Sequence, residues 1–282
     1  MSSSPFSSAQ AARKALADQL DQIRRDAGLT GLELASLCGW HKSKSSRIAR
    51  GLTRPSDSDI RAWCTACGVP EQAADLVAAS RTAESMYTQW RDLHRDGMQR
   101  VHQKNLPLYQ RTRKFKVYAS NVMPGMTQTG PYATGLLRSI TTFQGTPDDV
   151  DQAVKARLDR SRVLSDASHQ FALVLEEAVL YYGVCDDEAL TGQLDHLLEV
   201  ASRPNVSVGI IPFRARRTVW PLEAFYAFDE RLVAVETLTA EINVTAPSEI
   251  RTYLRAFSEL AKVAVRGAEA RSCIAKARSA LG

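Results

Sequence analysis

The stretch GWHKSKSSRIARG, residues 39–51, concentrates side chains that donate hydrogen bonds. Lysine and arginine donate to phosphates and to guanine edges, and serine bonds to either. Lys42, Ser43, Lys44 and Arg47 are therefore candidates for contacts with a nucleic acid. A basic helix that is merely exposed to water is the simpler interpretation. The choice between the two interpretations depends on the elements that position these residues.

The surrounding pattern predicts a module of five short helices over residues 12–79. Apolar residues at helical spacing predict a first helix that ends at Gly28, and Thr30 with Glu33 fits a capping box that opens a second. Gly39 permits a tight turn, because glycine takes positive φ cheaply. Two helices joined in this way form a helix-turn-helix, whose second helix reads DNA. A fourth helix, capped by Ser56 and Asp59, is predicted over residues 57–67, and a fifth over residues 70–77.

The third helix, residues 41–50, has both an inner face and a basic end. Ile48 is its apolar anchor. Ser45 is also expected to face the core, where a hydroxyl without a partner costs roughly 1–3 kcal/mol. It must bond to a carbonyl of the preceding turn, or the module is soft. Arg50 and Arg54 flank the exit of the helix, where they would reach phosphates.

Residues 12–79 resemble the helix-turn-helix of the Cro/C1 (Xre) repressor family. The shared positions are Leu29-Thr30, Glu33, Leu34-Ala35, Gly39, Ser46-Arg47-Ile48 and Gly51 with Arg54-Pro55. His41 and Ser45 depart from the family pattern, which has a small capping residue and an apolar residue there. The resemblance implies a double-stranded DNA partner and a homodimer, with half-sites about 34 Å apart.

The resemblance also implies roles for single residues. In the family, the positions of Lys42, Ser43 and Arg47 approach bases, and those of Thr30 and Arg50 approach phosphates. A contact with nucleic acid is the expected function of these side chains.

The rest of the chain predicts a linker and a second domain. A disordered tail is expected over residues 1–11 and a helical linker over residues 80–111. The helix of this linker is predicted over residues 81–103, with Asn105 and Pro107 ending it. An α+β domain with a small, mostly antiparallel or mixed sheet is expected over residues 112–282. Its strands are predicted at 170–177, 205–213, 223–230 and 232–237, and its helices at 132–140, 147–164, 187–203 and 247–280.

Two features of the linker have alternative interpretations. Met86, Trp90, Leu93 and Val101 approach a heptad spacing, which fits either a domain contact or a dimer seam. The basic run RTRKFK, residues 111–116, is more simply a solvated edge of the linker than a second DNA contact.

Four motifs in residues 112–280 resemble a domain of unknown function that follows the Xre module in many actinobacterial regulators. They are PGMTQTGPYATGLL, RLDRSRVL, VLEEAVLYYGV and QLDHLLEVASRPNVSVGIIPF. Met126, Thr127 and Ser161-Arg162 depart from the usual residues. The resemblance implies a transcriptional regulator, often paired with a small companion protein as in toxin–antitoxin systems.

Composition limits the class of protein. A net charge of +5 and a pI near 9.0 are compatible with a nucleic-acid partner. No apolar run approaches the roughly 18 residues that span a bilayer, and MSSSPFSSAQ lacks a signal-peptide core. Scattered cysteines, five in number, favour reduced thiols, so a cytoplasmic location is expected. Cys64 and Cys67 are expected to be buried apolar residues, with a redox switch as the alternative.

Enzyme chemistry is not expected, and neither is a metal or another cofactor. The histidines lack ligand spacing, and no nucleophile elbow, P-loop or dinucleotide fingerprint is present. Alternation along a strand places Glu176 and Glu177 on opposite faces, so they are interpreted as charges at a sheet edge.

The second domain has two possible roles. It either senses a small-molecule effector or a partner protein that controls a DNA-binding dimer, or it is an antitoxin-like module that sequesters a small companion. A pocket formed by Trp220, Phe225 and Tyr226 would favour an effector, although packed core is the simpler interpretation. The basic loop over residues 214–217 could instead contact a partner.

Overall fold

The structure is a computed structural model that describes residues 5–82, 87–89, 98–238 and 240–281. The chain divides into two units. The N-terminal unit is Met1–Tyr87 with Asn243–Ile250, and the C-terminal unit is Thr88–Ile242 with Arg251–Gly282.

Helices form the N-terminal part of the chain. They are α1 Pro5–Asp26, α2 Gly31–Leu37, α3 Lys42–Ala49, α4 Asp57–Ala66 and α5 Ala73–Thr82, with a 3₁₀ turn at Pro70–Gln72 before α5. The first helix begins at Pro5 and not at Ala12, inside the stretch predicted to be a tail. Proline suits the first turn of a helix, because the N–H that it lacks has no partner there.

The core of this unit holds α3 in place. Leu20, Leu34, Ile48, Ile60 and Trp63 are all buried in one cluster. The indole of Trp63 donates to the carbonyl of Leu20 at 2.9 Å, which satisfies its single donor inside the core. The predicted capping box at the start of α4 is present.

Strands and helices make up the rest of the chain. They are β1 Tyr87–Gln89, α6 Met98–Arg111, β2 Lys114–Ala119, α7 Gly130–Gln144, α8 Val150–Ser161, β3 Gln170–Glu176, α9 Asp187–Val200, β4 Val206–Ile211, β5 Phe225–Phe228, β6 Leu232–Glu236, β7 Ala240–Val244, α10 Pro247–Val263 and α11 Gly267–Ser279.

The strands form a seven-stranded sheet in the order β1-β7-β6-β5-β2-β3-β4. β2 and β4 each pair with β3 in parallel, whereas β5 pairs with β2 and with β6 in antiparallel. The sheet is therefore mixed, and the predicted α+β class is confirmed.

One face of this sheet carries the main core. The rings of Phe115 and Phe171, on neighbouring strands, stack at 4.7 Å between centroids. Residues of α7, α9 and α11 belong to the same buried cluster. On β5 the side chains of Phe225 and Tyr226 point to opposite faces of the sheet, and Phe225 packs against Phe257 of α10.

Two predictions about the linker are corrected. The run over residues 111–116 is not a solvated edge, because it leads into β2, where Phe115 and Val117 are buried between neighbouring strands. The predicted linker helix is interrupted by β1, and α6 continues through Pro107 to Arg111 and not only to Asn105. The predicted stripe at Met86, Trp90 and Leu93 lies outside the described residues, as does the side chain of Val101.

Candidate nucleic-acid interface

A capping box fixes the start of α2. The Thr30 hydroxyl accepts a hydrogen bond from the Glu33 amide at 3.2 Å, and the Glu33 carboxylate accepts from the Thr30 amide at 2.8 Å. These bonds lower the pKa of Glu33, so the carboxylate is charged at neutral pH. The capping box predicted from sequence is confirmed, and it leaves Thr30 exposed at the helix end.

A tight turn then directs the chain into α3. Gly39 has φ of 67°, and the Trp40 amide donates to the carbonyl of Ala35 at 2.7 Å. His41 is the N-cap, since its Nδ1 accepts from the Ser43 amide at 3.3 Å. His41 thus caps the helix at a position where the Xre family usually has a small capping residue.

The inner face of α3 is tied to α2. Ser45 is 2% exposed, and its hydroxyl lies 3.1 Å from the carbonyl oxygens of both Gly31 and Lys42. A serine hydroxyl has one proton, so the two carbonyls share a single donor. Ser45 faces the core as predicted. Of the two alternatives that the sequence left open, the structure shows the bond to a carbonyl of the preceding turn, that of Lys42. The bond to Gly31 adds a link that the sequence did not indicate.

The outer face of α3 carries exposed donors. Lys42, Ser43, Arg47 and Arg50 are all exposed. Within the described part of the chain, the side chains of Lys42 and Arg47 form no hydrogen bond or ion pair. Arg50 donates through Nε to the carbonyl of Ser46 at 3.2 Å, which leaves its other donors available.

Two of the predicted contact residues also have partners within the domain. The Lys44 ammonium lies 2.6 Å from the Asp59 carboxylate and 4.6 Å from the centroid of the Trp40 ring. Arg54 donates to the carbonyl of Ser80 at 2.8 Å. Sequence reasoning missed both partners. Asp59 was interpreted only as a helix cap, and Ser80 gave no signal.

The cysteines of the N-terminal unit are in apolar surroundings. Burial raises the pKa of Cys64 to about 11, and it also raises that of Cys67. Both thiols are therefore protonated at neutral pH, which disfavours reaction as a nucleophile. Among the described residues, no three histidine, cysteine or acidic side chains come together as metal ligands, and no helix is long and apolar enough to cross a membrane.

The aromatic pocket considered for the second domain does not form. Phe225 and Tyr226 point to opposite sides of the sheet, and Trp220 is 73% exposed. The loop residue Arg217 instead forms an ion pair with Glu176. Glu176 is not an edge charge as predicted, because β3 lies between β2 and β4.

A capped helix, a glycine turn and a second helix with an exposed basic face define a helix-turn-helix protein. Residues 15–77 match the family model of a helix-turn-helix domain. Residues 108–276, more than half of the chain, match the model of the domain of unknown function DUF5753. The chain belongs to the DUF5753 family, and both resemblances expected from the sequence are confirmed.

No curated protein matches the chain significantly. One similar solved structure is that of TrmBL2, an archaeal chromatin protein described as showing a novel mode of DNA binding. It is 12% identical, covers 85% of this chain and 88% of its own, and has a TM-score of 0.31. A TM-score at that level does not establish a shared fold.

Proposed function

We propose that the protein is a sequence-specific transcriptional regulator that binds double-stranded DNA as a homodimer, with α3 in the major groove. The C-terminal unit is assigned dimerisation and control by an effector or a partner protein. The observation that supports this proposal best is the division of α3 into a fixed inner face and an exposed outer face that offers donors.

The inner face makes the outer face rigid. Ser45 and Ile48 are buried, and the link from Ser45 to Gly31 fixes α3 against α2. Lys42 and Arg47 then extend from a fixed backbone, so little ordering is needed when DNA binds. Pre-organisation of this kind raises affinity by lowering the entropic cost of binding.

The family resemblance implies separate roles for the predicted contacts, and this proposal adopts them. Lys42, Ser43 and Arg47 are assigned to base edges, and Thr30 and Arg50 to phosphates. In this proposal, the side chains of Lys44 and Arg54 are assigned to positioning, since each is bonded to another helix of the domain. The Ser43 hydroxyl lies 2.8 Å from Nδ1 of His41 at the start of its own helix, and it keeps lone pairs that can accept from a base.

Two arginine substitutions test the assignment. Arg47→Ala removes a donor to a base edge, so it should weaken binding to the specific site about tenfold or more while binding to scrambled DNA changes little. Arg50→Ala removes a phosphate contact, so it should weaken binding to both DNAs similarly and reduce the salt slope by about 1. Fluorescence anisotropy over a salt series, with the gene's own upstream DNA and a scrambled fragment, measures both effects.

Lys44→Met is the matched control, because it removes a cation from the same helix without removing an assigned DNA contact. It should lower thermal stability slightly and leave the ratio of specific to scrambled affinity unchanged. Equal behaviour of Arg47→Ala and Arg50→Ala on both DNAs would contradict the assignment of roles.

A second candidate function is the antitoxin-like module that sequesters a small companion protein. An exposed aromatic patch favours it, since Tyr181, Tyr182 and Phe213 are all exposed and the rings of Tyr181 and Phe213 lie 5.9 Å apart. Wild-type binding that is equally weak and equally salt-sensitive on both DNAs would favour this function over regulation of specific sites.

A further inference from the structure

Two sequence motifs that DNA recognition does not use meet in the C-terminal unit. One is the turn PGMTQT, which contains Gly125, and the other is the helix RLDR, which contains Arg157 and Arg160. A Cβ placed on Gly125 would lie 3.6 Å from Nη2 of Arg160 and 4.0 Å from both Cζ and Nη1 of Arg157. Both guanidinium groups therefore converge on one point of the backbone.

Arg160 is a buried cation whose side chain has no hydrogen-bond acceptor among the described residues. It is 7% exposed, and its Nε is buried and makes no hydrogen bond. Among the described residues, its side chain forms no ion pair, and its closest partner is the ring of Tyr109, whose centroid lies 4.5 Å from Cζ. The face of an aromatic ring attracts the positive charge of the guanidinium. It offers no lone pair to which the five N–H groups of the arginine could donate.

Two tyrosine hydroxyls nearby are also donors. The Gly125 amide donates to the Tyr226 hydroxyl at 2.9 Å, so the Tyr226 proton must point elsewhere. Neither that proton nor the Tyr109 hydroxyl has an acceptor among the described residues. Burial raises the pKa of both hydroxyls, which keeps them protonated at neutral pH.

Arg157 is held in position by the side-chain amide of Gln128. Its Nη1 donates to Oε1 of Gln128 at 2.5 Å, and Nε2 of Gln128 donates to the carbonyl of Met123 at 2.7 Å. Burial lowers the pKa of Arg157, and the positive charge of Arg160 lowers it further. Two like charges thus lie close together where their hydration is reduced.

Glu236 interacts electrostatically with both Arg157 and Arg160. Among the described residues, it forms no ion pair with Arg160 at 4.0 Å or less. The charge of Arg160 is therefore not compensated by a direct ion pair with this carboxylate.

We propose that Arg160, together with Arg157 and the hydroxyls of Tyr109 and Tyr226, forms a binding site for a small oxyanion, the phosphate or carboxylate group of a ligand. Guanidinium groups match both kinds of group through paired N–H donors, and such charge-assisted bonds are strong where water is reduced. An anion would supply the acceptors that the hydroxyls and Arg160 lack.

The proposed site defines the chemical group that an effector would carry. The proposal of this site rests on the geometry of the C-terminal unit and not on DNA recognition. Its test needs no DNA, so failure of either proposal would be seen separately.

The test measures anion binding by the full-length protein. Inorganic phosphate and succinate are titrated by isothermal calorimetry at constant ionic strength, with sodium chloride as the reference salt. The melting temperature is recorded in parallel. We expect one saturable site for at least one of the two anions, with a rise in melting temperature, and the anion that binds identifies the ligand group.

Two variants separate binding from structure. Arg160→Met should weaken anion binding at least tenfold, while its melting temperature without anion equals or exceeds that of the wild type, because a costly buried charge has been removed. Arg162→Met is the matched control, since the side chain of Arg162 is 82% exposed on the same helix end, and it should bind as the wild type does.

Several results would overturn the proposal. Neither anion binds beyond the effect of chloride, Arg160→Met binds as tightly as the wild type, or Arg162→Met loses as much affinity as Arg160→Met. A lower melting temperature of anion-free Arg160→Met would show that the arginine has a structural role and would also contradict it.

Discussion

At the scale of single residues, Glu176 and Arg217 form the most buried ion pair among the described residues. Their side chains are 10% and 18% exposed, and the hydroxyl of Tyr118 donates to the Glu176 carboxylate at 2.6 Å. Arg217 lies in the loop between β4 and β5, so the pair ties that loop to β3.

Removal of one partner should cost more than removal of both. Arg217→Met leaves the Glu176 carboxylate buried with only the tyrosine as a donor, and we expect a loss of about 3 kcal/mol in the free energy of unfolding. The double variant Glu176→Gln with Arg217→Met should recover part of that loss. Urea unfolding measures the four members of the cycle.

A loss below about 1 kcal/mol for Arg217→Met would show that the pair behaves as an exposed one. The sequence could place Glu176 at the end of a strand but could not reveal this partner. Arg217 lies far along the chain, and the strands on both sides of β3 are set by tertiary pairing.

At the scale of elements, the turn between α2 and α3 fixes the angle at which the outer face is presented. Gly39 has φ of 67°, where a residue with a Cβ is strained. Gly31, the first residue of α2, has no such φ and no atom within 4 Å of the Cβ position.

The two glycines should therefore respond in opposite ways to the same change. Gly39→Ala should lower the free energy of unfolding by about 1–2 kcal/mol, because alanine is strained in the left-handed region. Gly31→Ala should raise it by about 0.4–1 kcal/mol, because the unfolded chain loses freedom. Thermal and urea unfolding of the two variants measure both, and a loss of stability in Gly31→Ala would contradict this account of the turn.

The elements also show what a single sequence can predict. The caps of α2 and α4 and the strands β3 to β6 carry local signals, namely paired polar residues and runs of β-branched and aromatic residues, and they were found. β2 was missed, because the run over residues 111–116 was interpreted by its positive charge. Lys114 and Lys116 in fact alternate with the buried Phe115 and Val117, as in a strand with one buried face. Pro107 suggested a helix end, but the helix continues past it, since tertiary packing overrides a local preference.

The candidate DNA interface was predictable only where a local pattern in the sequence indicates it. The basic face of α3 follows from helical spacing alone. The partners of Lys44 and Arg54 depend on contacts with residues of other helices, which no local pattern encodes.

At the scale of the whole molecule, each unit has its own buried cluster. Leu20 belongs to the cluster of the N-terminal unit and Leu194 to the main cluster of the C-terminal unit, and the two clusters share no residue. Both leucines are fully buried.

A cavity in one cluster should lower the stability mainly of the unit that contains the cluster. Leu20→Ala and Leu194→Ala should each cost about 2–5 kcal/mol locally. Hydrogen exchange measured by mass spectrometry should show faster exchange in α1–α5 for the first variant and in β2–β4 and α9 for the second. Faster exchange throughout the chain for either variant would show that the two units unfold as one.

The separation of the two faces of α3 has a consequence for divergence. Ser45 and Ile48 hold the helix, whereas Lys42, Ser43 and Arg47 contribute nothing to the buried cluster. Descendants of a duplicated gene can therefore exchange the outer residues without a loss of folding stability. A change at Ser45 or Gly39 would instead have to be matched elsewhere, so the inner face should evolve slowly while the outer face evolves fast.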